Sequence, residues 1–270
     1  MFLPDPVTLI LIVLVFVPLE RLFALRREQQ IFRKLWQLDA IYVLFNSVLI
    51  GLGINILLFT ALMLTPYLVP EEFRAWVGAQ AYWVQVPVMV LLSDIGFYAV
   101  HRMFHKVPWL WKFHAVHHSI EEMDWLAAHR VHPLDQILTK GVSLLPVMAL
   151  GFSAWPVAIY AVLYQWQSLL IHSNVRIDFG AIGRILATPR FHHWHHANHR
   201  EAFDKNFAGQ LSFLDALFGT LHMPKVEMPR RYGTDVPVPK HYGGQLAFPF
   251  QQATAGDRVP SSGELANIVK

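Results

Sequence analysis

Residues 191–196 read FHHWHH, and thirteen of the chain's fifteen histidines fall between His101 and His199, with none in the first hundred positions. The first box is HRMFH, whose His101 and His105 stand four residues apart and share a helix face. The second is HAVHH. His114 shares a face with both His117 and His118, but those two diverge by ~100° around the axis, so one helix can address two metals. His192, His195 and His196 repeat this HxxHH spacing, with His193 directed elsewhere. Between the boxes lie HRVHP, with His129 and His132, and IHSN, with His172. Alone, each of these reads as a satisfied core histidine. Three helical spacings together supply eight nitrogens and read as two metals shared between helices. His172 and His132 extend the set to ten.

The chain has no cysteine, so any metal is held by nitrogen or oxygen. Imidazole suits iron, copper and zinc alike, and ligand type leaves the metal open. Ligand number says more, since a catalytic zinc uses about three protein ligands. Around ten neutral nitrogens serve two metals with positions left over. The Glu-x-x-His pattern of soluble di-iron proteins and the HExxH of zinc proteases are both missing. A haem takes one or two axial ligands and leaves most of the boxes unexplained. A metal carrier or storage protein is the non-enzyme alternative, although the chain shows no low-complexity histidine tract. No GxGxxG fingerprint is present, which points to an external electron donor, and nothing suggests a nucleic acid partner.

The elements that must position these rings belong to a membrane protein. Hydrophobic residues make up 54% of the chain and charged residues only 15%, against about 25% in soluble domains. Residues 40–70, 75–93 and 141–171 carry no charge, and a bilayer span takes ~20 helical residues. The expected fold is all-α: multi-pass membrane helices under a cytoplasmic, histidine-rich helical cap. Residues 1–100 form the membrane anchor, 101–222 the catalytic region and 223–270 a Pro/Gly-rich tail ending in a loose polar segment. Pro6–Leu19 is a short first span or an interfacial helix. Arg21, Arg26, Arg27, Arg33 and Lys34 place their side in the cytoplasm. A single straight span over 141–171 would strand His172 on the wrong face, so the break at GFSAWP predicts a re-entrant hairpin of two half-length helices turning near Gly151.

Several polar residues are candidates to orient ligand rings by accepting their second N–H. Asp94 sits two helical turns before His101 inside an apolar segment, too far along the helix for a direct bond. His129, Asp204, Asn206 and Asp215 join it, with Tyr98 and Asp124.

HRxxH, HxxHHS, RxHPLD, HSN, FHxxHH and NFAGQLSFLDALFGT, in this order over residues 90–222, resemble the fatty acid hydroxylase and sterol desaturase superfamily. The resemblance implies a four-span anchor and two non-haem irons held by His101, His105, His114, His117, His118, His172, His192, His195 and His196. It implies O2-dependent hydroxylation or desaturation of a lipid, with electrons from a cytochrome b5, ferredoxin or reductase. A carotenoid hydroxylase would share the boxes. Members with known ligands often carry HxxxH in the third region, but here Ser168 stands four before His172. Either His132 supplies the missing ligand or one iron has fewer. A bacterial inner membrane is the preferred location, with the endoplasmic reticulum if the source is eukaryotic.

Overall fold

The computed structural model describes residues 6–177, 179–225 and 228–251. Asp5 and the polar end at 256–270 lie outside them. Every regular element among the described residues is helical, with only two isolated bridge pairs, Ala24 with Val175 and Ala197 with Tyr232.

Helix α1 (Pro6–Leu22) leaves much of its apolar surface exposed, but seats Ile12 and Phe16 against Trp125 and Leu169. Helix α2 (Trp36–Ile41) runs through a π turn at Tyr42–Asn46 into α3 (Ser47–Leu68). Together Trp36–Leu68 are long and apolar enough to cross a membrane, and so is α5 (Tyr82–Lys106). Only 17% of the most apolar window of Trp36–Leu68 is buried, so most of its side chains face outward. Between them lies the short α4 (Glu71–Gly78).

Three prolines at the first helical position start the elements that follow, where a missing N–H costs nothing. Pro108 opens α6 (Pro108–His118), Pro133 opens α7 (Pro133–Ala149), and, beyond α8 (Ala154–His172), Pro189 opens α9 (Pro189–His195). The first proline breaks α5 from α6 immediately after Lys106, and thereby folds two histidine boxes onto one another.

Helices α7 and α8 form the hairpin, turning at Gly151 with φ +83°. Its two helices are longer than the half-length pair expected from sequence. The turn residue Ser153 donates its hydroxyl to Gly78 O and its backbone N–H to Gln85 Oε1, near the start of α5. The hairpin thus reaches the full length of α5, with 17 and 19 residues that rise ~25 Å and ~28 Å. Helix α5 meets α7 closely at Gly96, where a Cβ would lie 3.2 Å from Ser143 Cα. Ser93 donates across the same contact to Ser143 O.

Two short helices complete the structure, α10 (Phe213–Leu217) and α11 (Tyr242–Ala247). The expected tail is packed through this region: Phe248 and Tyr242 join Leu38, Tyr42, Ala115 and Val116 in one apolar cluster.

Candidate metal centre

Nine histidines converge from four helices. Their ring nitrogens form two groups, each with all members within 4.8 Å of one another: His101, His105, His114, His118 and His195, then His117, His172, His192 and His196. Helical periodicity does the sorting. On α6, His114 and His118 turn to the first group and His117 to the second. At α9 the relation reverses, with His192 and His196 in the second group and His195 in the first. The groups adjoin, with ring centroids of His118 and His196 4.6 Å apart.

The outward nitrogens fix the tautomers. Nδ1 lies 2.6 Å from Phe207 O in His101, 3.0 Å from Arg130 O in His117, 2.7 Å from Ser168 O in His172 and 2.8 Å from Lys205 O in His195. A carbonyl oxygen can only accept, so Nδ1 carries the proton and Nε2 turns a bare lone pair inward. His114 Nδ1 likewise faces a carboxylate, Asp135 Oδ2, at 2.7 Å.

The inward nitrogens nevertheless stand at contact distance. Nε2 of His101 lies 2.9 Å from that of His114, and Nε2 of His117 lies 3.2 Å from that of His172. Two lone pairs cannot hydrogen-bond to each other. A metal bound at ~2.1 Å by two imidazoles at right angles would separate their nitrogens by ~3.0 Å. The donor set therefore fits metal ions, and a cation between the rings removes the repulsion that the protein alone leaves. Burial, and then the neighbouring rings, push His117, His118, His192 and His196 well below the usual imidazole range, and burial takes His195 down to about 3. The rings are neutral and available as ligands.

Much of the orienting work falls to the loop 204–211. Asp94 accepts from the backbone N–H groups of Gly209, Gln210 and Leu211, and Asp215 from those of Phe207 and Ala208. Two buried carboxylates so hold the strand of chain whose Phe207 O takes the His101 proton. Asp204 and Asn206 have positive φ, 58° and 60°, on either side of Lys205, and this kink turns Lys205 O toward His195. Asn206 pins the kink by donating to Phe191 O and His222 O. Asp204 lies 3.7 Å from His105 Nδ1 and also pairs with Lys106.

Other candidates sit elsewhere. His132 belongs to neither group: its Nδ1 caps α7 by accepting from Leu134 N–H, and its Nε2 faces Leu246 O. The structure thus places His132, expected as an extra ligand, at the cap of α7 ahead of Pro133 and apart from both groups. His129 is also outside both groups. His193 bonds to Tyr232 and Ser173 O, Tyr98 to Thr220, and Asp124 to Arg33.

Sequence reasoning missed Asp135, which accepts hydrogen bonds from His114 Nδ1–H and the Thr139 hydroxyl. Its one signal was a carboxylate three residues after His132, in the first turn of the helix that Pro133 opens. It also missed a buried network in which Arg33 and Arg130 share Asp39, and Arg33 also clasps Asp124. Burial opposes the Arg33 charge, but Asp124 and Asp39 outweigh it and hold the guanidinium above its ordinary range. Arg130 O, at the far end of this network, receives the His117 proton.

Beside both groups is a cavity of ≈ 50 Å³ walled by His101, His114, His117, His172 and His192 on one side and by α5, α7 and α8 residues on the other.

The fatty acid hydroxylase family model matches residues 86–220, the stretch that carries all nine clustered histidines. The chain belongs to the fatty acid hydroxylase family. An ornithine lipid hydroxylase of Rhizobium tropici is 32% identical to this hydroxylase-family chain over 173 residues, 62% of it and 51% of that protein. Alkylglycerol monooxygenase of Homo sapiens is 36% identical over 148 residues, 54% of the chain and 32% of that protein. Cholesterol 25-hydroxylase of Homo sapiens is 28% identical over 146 residues, 51% of each. The match spans about half of these relatives or less. No solved structure matches the family member described here.

Proposed function

We propose that this chain is an integral membrane di-iron hydroxylase that uses O2 to oxidise an unactivated C–H bond of a lipid. The observation that carries the reading is the set of inward lone pairs at 2.9–3.2 Å, divided into two adjoining groups of five and four imidazoles. The relatives, by their names, hydroxylate an ornithine lipid, an alkylglycerol and cholesterol. Those names favour hydroxylation over desaturation here. They also favour an enzyme over a carrier.

The first group would hold one iron and the second the other. Bound iron would supply the redox chemistry that activates dioxygen toward a C–H bond. The chain's own residues supply the setting. Asp135 and the carbonyls of Phe207, Arg130, Ser168 and Lys205 hold protons on the outer nitrogens and keep the inner ones bare. Phe97, Val131 and Ile171 line the cavity with apolar surface that excludes bulk water from the reacting carbon. Hydroxylation balances as lipid C–H plus O2, two electrons and two protons giving alcohol and water. The two electrons come from a separate donor, a cytochrome b5, ferredoxin or reductase. The lipid reaches the site from the bilayer, with the histidine cap on the cytoplasmic side.

Metal analysis and Mössbauer spectroscopy of detergent-purified protein from iron-57 cultures test this reading, beside a triple His192→Ala, His195→Ala, His196→Ala variant. Two coupled non-haem irons per chain, lost in the variant, are expected. One metal, haem, or none after anaerobic iron reconstitution would overturn it in favour of a carrier or a degenerate relative.

A further inference from the structure

The cavity beside the histidines has a polar group for which metal binding finds no use. Gln136, on the first turns of α7, lines it together with the inward rings. Its Oε1 is buried and has no hydrogen-bond partner among the described residues. Thr139, also on this wall, is already engaged, since its hydroxyl donates to Asp135. A buried carbonyl left without a donor is unfavourable, and a ligand that brings one relieves it. A donor-free alkyl chain cannot relieve it.

The position of Gln136 says where on the ligand that donor sits. A space of ≈ 50 Å³ is on the order of 5 Å across, so whatever bonds to Gln136 is within a few bonds of the ring nitrogens. Gln136 itself is half-buried, and its sequence neighbours Leu134 and Leu138 are 40% and 41% exposed. It stands between the enclosed imidazoles and the apolar outer surface of α7, along which an alkyl chain would lie.

We propose that Gln136 selects lipids carrying a hydrogen-bond donor, a hydroxyl or an amide N–H, within about three bonds of the carbon presented to the histidines. This deepens the hydroxylase reading and rests on it. Oxidation is then directed to a carbon beside a polar group and away from the middle of an unfunctionalised chain. A hydroxyl meets the carboxamide in either of its two rotations, because it both donates and accepts.

Cobalt(II)-loaded protein in phosphatidylcholine nanodiscs provides the test, with the cobalt d–d bands reporting ligand entry and requiring no turnover. The probes are 1-hexadecanol, N-hexadecylacetamide and 1-chlorohexadecane. The alcohol and the amide are expected to bind about tenfold more tightly than the chloride. In Gln136→Leu the preference disappears while chloride binding and cobalt content stay as they were. Gln136→Met, which keeps the length without the amide, gives the same result if leucine disturbs α7. No preference in the wild-type protein overturns the proposal. So does a preference that survives in both variants, which would trace it to direct ligation of the metal, or an equal weakening of all three probes, which would make Gln136 structural. Failure to load two cobalt ions, or bands that respond to no lipid, would instead strike the hydroxylase reading and the proposal with it.

Discussion

At the scale of the residue, the centre depends on where each ring keeps its proton. Four clustered histidines donate their Nδ1–H to neutral backbone carbonyls, but His114 donates its Nδ1–H to the buried carboxylate of Asp135. A carboxylate makes its imidazole a stronger donor than a carbonyl does, and loss of such partners typically costs 10–100-fold in metal affinity. In Asp135→Asn the amide oxygen still accepts, so the ring keeps its orientation and the ligand loses basicity. We expect one of two metals to leave at roughly tenfold lower chelator concentration, with the other unmoved. Chelator titration followed by metal analysis checks this, and identical release from both proteins would remove Asp135 from the centre. The clustering of the histidines was legible in the sequence because bringing several rings onto one helix face leaves a spacing. Asp135 was not, because its partner His114 lies on another helix and no spacing encodes the contact. The place of His132 was open for a related reason: a histidine before a proline has the same appearance whether it caps a helix or binds a metal.

At the scale of the element, helix contacts set the ring positions. The α5–α7 contact at Gly96 is backbone against backbone, so Ser143 cannot swing aside to admit a Cβ. Gly96→Leu should part helices that carry His101 and His105 on one side and Asp135 on the other. Overpacking of this kind costs about 1–3 kcal/mol, and a lower thermal midpoint with weaker metal retention is the expected outcome. Unchanged retention at a lowered midpoint would show that the contact supports the fold alone. The buried Arg33, Asp39, Asp124 and Arg130 network ties the segment before α2 to the loop that receives the His117 proton. Asp39→Asn leaves two guanidiniums undercompensated, and breaking a buried pair costs about 3–5 kcal/mol. Unfolding in detergent should register that loss, whereas a change below ~1 kcal/mol would mean that water replaces the carboxylate. The α5 and α3 helices were legible from their charge-free runs. This network was hidden because its members lie far apart in sequence, and only the folded chain brings them together.

At the scale of the whole molecule, the hairpin decides the topology. Sequence alone favoured a half-depth hairpin, since returning His172 to the other histidines needs only a turn and says nothing of its depth. The turn at Gly151–Ser153 instead packs beside Gly78 and Gln85, level with the start of α5 and with α4. If α5 crosses the bilayer, then α7 and α8 cross it too, and the histidines gather on the face opposite α4. The chain has no native cysteine, so single cysteines report sidedness without background. Lys34 and Lys106 have exposed side chains on the histidine side, 59% and 46% accessible. Glu72 and Trp155 are exposed at the other end. A membrane-impermeant maleimide should label Lys34→Cys and Lys106→Cys only in inverted vesicles, and Glu72→Cys and Trp155→Cys only in right-side-out ones. The basic residues around α1 and α2 predict that polarity, because Lys and Arg are retained on the cytoplasmic face. Labelling of Trp155→Cys from the same side as Lys106→Cys would mean that the hairpin and α5 do not span together. The lipid would then have to enter a site lying on the membrane surface, and the route along the outer face of α7 would be lost.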